Sequence, residues 1–149
     1  MPEKATIERA KEDAQEGKSP TTQAGEFVRE EIHHVREGKH GARSTKQAIA
    51  IGLSKARRAG VKLAPPKKGT ASARTRKQAA RDTAKGKSGT KRPSARRSRA
   101  VRQALKREGH SAASHRALSR QAHSSARRRS ASQRSAAARK AARTKARKR

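Results

Sequence analysis

Residues 38–60 read GKHGARSTKQAIAIGLSKARRAG, and they carry the strongest local structural signals in the chain. Ser44 followed by Gln47 fits a capping box, in which the hydroxyl and the glutamine side chain each satisfy a backbone amide at the helix start. Gly60 is a typical residue at the end of a helix. Four residues between these signals recur at helical spacing and share one face: Ile49, Gly52, Leu53 and Ala56. We therefore predict an amphipathic helix that starts after Ser44 and stops before Gly60.

A second amphipathic helix is predicted just before it, over residues 26–37 (EFVREEIHHVRE). Val28, Ile32 and Val35 are spaced by four and three residues and fall on one face, which Phe27 widens. Two short apolar faces joined by a glycine-containing turn favour a helical hairpin.

The rest of the chain has few large apolar residues. Ile, Leu, Val, Met and Phe number fourteen, and after Leu63 only three remain, at Val101, Leu105 and Leu118. Ordering the backbone costs about 1–2 kcal/mol per residue, whereas a fully buried aliphatic side chain returns about 1.5–3 kcal/mol. We therefore expect a mostly α fold: a short helical hairpin with a long disordered or transiently helical basic tail and no sizeable globular core.

Three segments follow from this expectation. Residues 1–24 are predicted to form a polar N-terminal helix and linker, residues 25–66 the helical hairpin, and residues 67–149 a basic tail rich in Ala, Arg, Lys and Ser.

Charge is distributed very unevenly between the two ends of the chain. Residues 1–37 hold nine acidic and six basic residues, a net charge of −3, whereas residues 38–149 hold 36 basic residues and two acidic ones. Such a segment repels itself unless a polyanion neutralises it, and duplex nucleic acid carries one charge per ~1.7 Å of axis. Phe27 is the only aromatic residue, so stacking of single-stranded bases on aromatic rings is disfavoured.

The predicted function is non-sequence-specific DNA binding by a histone-like, nucleoid-associated protein that acts through phosphate neutralisation. Neutralising about eight phosphates would give a slope of log K against log salt near −7. In the hairpin, the candidate contacts are Lys39, Arg43, Lys46, Lys55, Arg57 and Arg58. In the tail, they are Arg96, Arg97, Arg99, Arg127, Arg128, Arg129 and the closing cluster of Arg147, Lys148 and Arg149.

Other chemistry finds little support in the sequence. There is no cysteine, no HExxH motif and no Gly-rich phosphate loop, so we expect no enzyme and no cofactor. Six histidines are present, but His33 and His34 are adjacent on a helix and cannot face one ion together, so no metal site is expected. No apolar run is long enough to span a bilayer, and we expect a cytoplasmic protein of the nucleoid.

Two resemblances bear on function. Residues 124–149 (SSARRRSASQRSAAARKAARTKARKR) resemble the tails of linker histones and bacterial histone-like proteins. Residues 25–63 (GEFVREEIHHVREGKHGARSTKQAIAIGLSKARRAGVKL) resemble a family of uncharacterised bacterial proteins of DNA-binding type. This second resemblance implies a helical segment followed by a basic extension, no catalytic residues and a bacterial origin.

Several alternatives stay open. Charge alone does not separate DNA from RNA, so an RNA-binding or ribosome-associated protein is the first rival. An interaction adaptor that docks a protein partner through residues 1–37 is the second. Sequence-specific readout needs a rigid recognition helix, and a membrane-surface role needs an apolar face opposite the charge, so we rank both lower.

Overall fold

The computed structural model describes residues 2–89 and 94–146, which form two compact units, one up to Ser114 and one from His115 onward. Seven α-helices lie within the described residues. They are α1 (Lys4–Gln15), α2 (Pro20–Arg36), α3 (Thr45–Arg58), α4 (Ala73–Lys87), α5 (Ala95–Lys106), α6 (His115–Arg127) and α7 (Ala131–Ala146). A single turn of 3₁₀ helix at Ser111–Ala113 ends the first unit.

The predicted pair of helices is present as α2 and α3, which pack on each other. The Ser44 hydroxyl accepts a hydrogen bond from the Gln47 amide at 3.2 Å, as the capping box predicts. The Gln47 side chain reaches back to the amide of Arg43, one residue before the expected one. Helix α2 begins at Pro20, earlier than its apolar periodicity indicates, because proline is favoured in the first turn of a helix.

Gly52 explains how closely α2 and α3 approach. A Cβ atom on this residue would lie 2.7 Å from the Cα of Val28 and 3.0 Å from the carbonyl oxygen of Phe27. Only glycine fits this helix crossing without displacing a backbone.

The main apolar cluster joins α1, α2 and α3 with the segment that follows α3. Phe27 is 1% exposed and is the largest fully buried side chain in the described residues. The buried members of the cluster are Ala10, Ala24, Phe27, Ala56, Val61 and Leu63. Ala10 comes from α1, and Ala24 and Phe27 come from α2. The polar N-terminal helix is therefore part of this core.

Helix α4 packs on α3 through small and polar residues. Ala79 and Asp82 are its buried residues, and the backbone of Gly86 lies directly against the carbonyl group of Arg57. The Asp82 carboxylate accepts hydrogen bonds from Ser54 at 2.7 Å and from Arg58 at 2.8 Å. A hydrogen-bonded charged side chain is thus buried at this helix contact, where an apolar side chain is more usual.

The chain after α5 returns to the hairpin through backbone hydrogen bonds. The amide of Gly41 donates to the carbonyl of Leu105, and the amide of Ala42 donates to the carbonyl of Gly109, at 2.9 and 3.0 Å. The Thr45 hydroxyl then donates to the carbonyl of Ala112 at 2.6 Å, in a buried position. Polar contacts of this kind attach residues 105–113 to the hairpin within the first unit.

The second unit consists of α6 and α7. All the described residues of α7 are exposed, and no residue of α6 is buried. Across residues 2–89 and 94–146, no helix combines the length and the apolar character that crossing a bilayer requires.

The expectation of a long disordered or transiently helical basic tail with no sizeable globular core is wrong. Helices α4 to α7 occupy most of the region after residue 66, and the part up to Ser114 belongs to the first compact unit. The prediction counted only large aliphatic side chains. The structure instead buries alanines such as Ala79 and Ala113, closes a glycine contact at Gly86 and satisfies Asp82 with hydrogen bonds. The description of the chain as intrinsically disordered fails for the same reason.

Candidate nucleic-acid interface

The acidic residues of the N-terminal segment are mostly paired with cations of the same unit. Seven of the nine acidic residues in 1–37 form an ion pair with a lysine or arginine. Few cations are involved, since Lys39 bridges two glutamates and Lys55 bridges two more. Basic residues elsewhere therefore have almost no acidic side chain left to pair with.

Four of the six hairpin candidates form ion pairs with acidic side chains, and they are Lys39, Arg43, Lys55 and Arg58. Lys39 contacts Glu3 and Glu37, at 3.3 and 3.1 Å, and these carboxylates raise the pKa of its ammonium group. Lys55 Nζ lies 2.6 Å from Glu31. Arg43 lies 3.4 Å from Glu108 but its side chain is 81% exposed, so this pair contributes little and leaves the guanidinium accessible.

Arg57 and Arg58 support the fold directly. Arg57 is 7% exposed, and burial lowers the pKa of its guanidinium, which donates to the carbonyls of Leu63 and Ala64 at 3.3 and 3.4 Å. Arg58 holds the buried Asp82. Lys46 is exposed on α3 and forms no ion pair with an acidic side chain in the described part of the chain.

Helix α4 presents a cationic stripe that sequence reasoning missed. Four basic residues separated by three, four and four positions share one face of the helix: Arg74, Lys77, Arg81 and Lys85. All four are exposed, whereas Ala79 and Asp82 are buried on another face against α3. The only acidic side chain on this helix, Asp82, is already paired with Arg58. We call these four residues the α4 stripe.

The spacing of the α4 stripe was visible in the sequence. Residues 70–85 contain no large apolar residue, so the sequence does not indicate which face of this helix is buried. The alanine and aspartate that define that face become recognisable only once α3 is in place.

The tail candidates fall on exposed helix surface where the structure describes them. Arg96, Arg97 and Arg99 are exposed near the start of α5. Arg127, at the end of α6, and the adjacent Arg128 and Arg129 are also exposed. The closing cluster of Arg147, Lys148 and Arg149 lies outside the described residues.

The structure also brings together residues that the sequence keeps apart. Glu31, His34 and His40 each direct one ligand-type atom into a cluster in which these atoms lie within 4.8 Å of one another. The turn after α2 folds His40 back onto that helix, and no periodicity in the sequence indicates this. Its neighbour His33 is exposed and is not in the cluster.

Residues 15–68 match the model of a family of unknown function (DUF6496). The match spans about a third of the chain and contains all of α2 and α3. No curated protein and no solved structure matches the chain. The hairpin region is therefore similar to a family of uncharacterised proteins, as its sequence predicts. The DNA-binding character of that family and the histone-like resemblance of residues 124–149 gain no support from these comparisons.

Proposed function

We propose that this protein binds duplex DNA without sequence specificity, by placing exposed helical cations against the phosphate backbone. The observation that carries the proposal is the α4 stripe, which is exposed and forms no ion pair with an acidic side chain among the described residues. Another face of the same helix is fixed on α3. A helix held in this way presents its cations in a defined row, and that row is formed before any ligand binds.

The dimensions of the α4 stripe suit a duplex. Arg74 and Lys85 are eleven residues apart, which corresponds to about 16 Å along a helix at a rise of 1.5 Å per residue. About 16 Å of duplex axis carries about ten phosphate charges. Arginine and lysine side chains reach phosphate oxygens without reading base edges, so contacts of this type fix position and carry no sequence information.

The second unit adds cations that nothing in it can neutralise. Residues 115–149 contain 13 lysines and arginines and no aspartate or glutamate. Helices α6 and α7 therefore repel themselves electrostatically, and a polyanion would relieve this repulsion. We expect this unit to supply further phosphate contacts, and we propose that the protein acts in the bacterial nucleoid.

The adaptor alternative gains nothing from the structure, because most acidic residues of 1–37 already pair with cations of their own unit. RNA remains the main rival, since its phosphates offer the same charge.

A competition experiment tests the proposal. Purified full-length protein is bound to a labelled random-sequence duplex, and an unlabelled duplex of fixed, unrelated sequence and an RNA of equal length serve as competitors. We expect the two duplexes to compete equally and the RNA to compete no better. Preference for one duplex would refute non-specific binding, and stronger competition by RNA would reassign the ligand.

A further inference from the structure

The cluster of Glu31, His34 and His40 has the donor set of a transition-metal site. Glu31 and His34 lie on α2, and His40 lies in the turn between α2 and α3. Their side chains are 1%, 13% and 15% exposed. Two imidazole nitrogens and one carboxylate oxygen are the protein ligands of a common catalytic type of zinc site.

Hydrogen bonds fix which ring nitrogen of each histidine is free. His40 Nδ1 lies 3.1 Å from the carbonyl oxygen of Gly41, which can only accept, so Nδ1 carries the proton. His34 Nε2 lies 2.9 Å from a carboxylate oxygen of Glu3, and the same rule places its proton there. With the protons placed in this way, the nitrogens that can bind a metal ion are His40 Nε2 and His34 Nδ1. A hydrogen bond from the second ring nitrogen to a carbonyl or carboxylate is the usual support of metal-binding histidines.

The free nitrogens face carboxylate oxygens. His40 Nε2 lies 3.2 Å from Glu31 Oε1, and His34 Nδ1 lies 3.9 Å from Glu30 Oε1. A nitrogen and a carboxylate oxygen that face each other at this distance can both bind one cation placed between them. Both Glu31 oxygens are buried and make no hydrogen bond. Lys55 Nζ is 2.6 Å from Glu31 Oε2, so Oε2 has a counter-ion, whereas Oε1 faces His40 Nε2.

We propose that Glu31, His34 and His40 bind a divalent transition-metal ion, with Zn²⁺ as the expected occupant. Ligand atoms of a tetrahedral zinc site with bonds near 2.05 Å lie about 3.3 Å apart. The three ligand atoms in this structure lie within 4.8 Å of one another, so each side chain would move inward by less than about 1 Å to bind the ion. Three protein ligands leave the fourth coordination position of a tetrahedral zinc ion open to a water molecule. An open cavity of about 240 Å³, lined in part by Glu3, Glu30 and His34, brings one of the proposed ligands within reach of solvent.

Zinc titration of the full-length protein tests the proposal. The protein is stripped with a chelator and titrated with Zn²⁺ by calorimetry in DNA-free buffer near pH 7.5. Co²⁺ binding is followed in parallel by its visible absorption. We expect one equivalent bound at the cluster, with Co²⁺ bands typical of a low-coordinate nitrogen and oxygen site. Binding should weaken as pH falls, because protons compete for His34 and His40.

Single substitutions locate the bound ion. His34→Ala and His40→Ala should each weaken Zn²⁺ binding by about a hundredfold or more. Glu3→Gln should weaken it by about tenfold, because it removes only the hydrogen-bonding partner of a ligand. His33→Ala is the matched control, since His33 is exposed and adjacent to a proposed ligand but lies outside the cluster. Circular dichroism checks that each variant is folded, and the two histidine variants are independent, so one unfolded variant leaves the other decisive.

Two results would overturn the proposal. One is the absence of Zn²⁺ binding by the wild-type protein at about 100 μM, some five orders of magnitude weaker than a nanomolar site. The other is binding that His33→Ala reduces as much as His40→Ala does, which would mean adventitious surface binding only.

Discussion

Neutralising the α4 stripe should weaken DNA binding in a salt-dependent way. The variant carries Arg74→Gln, Lys77→Gln, Arg81→Gln and Lys85→Gln. Glutamine has nearly the helix propensity of lysine and arginine, so α4 should persist. All four side chains are exposed, so the packing of Ala79 and Asp82 on α3 is untouched. Any loss of affinity then reports on the removed charges.

The magnitude follows from counterion release. Each phosphate contact contributes about 0.9 to the slope of log K against log salt, so four contacts contribute about 3.6. With this slope contribution, losing the four contacts lowers the affinity about 10³-fold at 0.15 M salt and about tenfold at 0.5 M salt. Fluorescence anisotropy with a labelled random-sequence duplex over that salt range measures both the affinity and the slope.

A control variant removes the same number of charges from the acidic end of the chain. Lys4, Arg9, Lys11 and Arg29 are also exposed, but they belong to the segment of net charge −3. Their replacement by glutamine should change the slope by less than about one unit. Equal losses from the two variants would refute a localised interface and leave only the effect of net charge.

Three further predictions concern the fold and are measured by urea denaturation. Gly52→Ala should destabilise the protein by about 1–3 kcal/mol, because the new Cβ would lie 2.7 Å from the Cα of Val28. Gly25→Ala, in α2, is the control: its Cβ would have no atom within 4 Å, so it should stabilise the protein by about 0.5–1 kcal/mol. Ser44→Ala removes the cap of α3 and should cost about 1 kcal/mol; an unchanged midpoint would show that the cap is dispensable. Asp82→Asn should cost about 1–2 kcal/mol at pH 7, and this difference from the wild-type protein should narrow as the pH falls below about 4.

The sign of that pH dependence follows from the surroundings of Asp82. Burial raises the pKa of its carboxyl group, but hydrogen bonds from Ser54, Arg58 and Gln78 outweigh burial and hold the pKa below its usual range. A carboxyl group whose pKa is depressed by folding stabilises the folded state above its unfolded pKa. That stabilisation is lost as the pH falls through the folded pKa. A constant difference between wild type and variant from pH 7 to pH 3 would contradict this account.

The hairpin was predictable because its signals are local. Ser44 lies next to the helix it caps, and Gly60 follows the helix it ends. Val35 and Ile32 recur at a spacing that one helix alone defines, and both are buried.

The packing after residue 66 was not predictable in this way, because it depends on distant partners. Asp82 reads as a solvent-exposed acid in the sequence, and only the approach of Ser54 and Arg58 makes it a core residue. Ala112 and Ala113 are ordinary residues of a basic segment until Thr45 and Arg36 bind their carbonyl groups. Small side chains and backbone hydrogen bonds leave no hydrophobic period to detect.

The candidate sites likewise depend on residues that are distant in the sequence. Lys55 and Arg57 were interpreted as phosphate contacts, yet the structure engages them with buried carboxylates and backbone carbonyls. The opposing carboxylates lie on α2, and the carbonyls lie beyond the end of α3. The cluster of Glu31 and His40 likewise needs the folded turn between the two helices. Charge composition indicated a polyanion as the ligand but did not indicate which cations are free to meet it.

The salt dependence of binding tests the central proposal most directly. Wild-type protein is titrated against two duplexes of equal length and unrelated sequence, from low to high salt. We expect one common line of log K against log salt, with a slope near −7 for about eight neutralised phosphates. A shallow slope together with different affinities for the two duplexes would contradict phosphate neutralisation as the basis of binding.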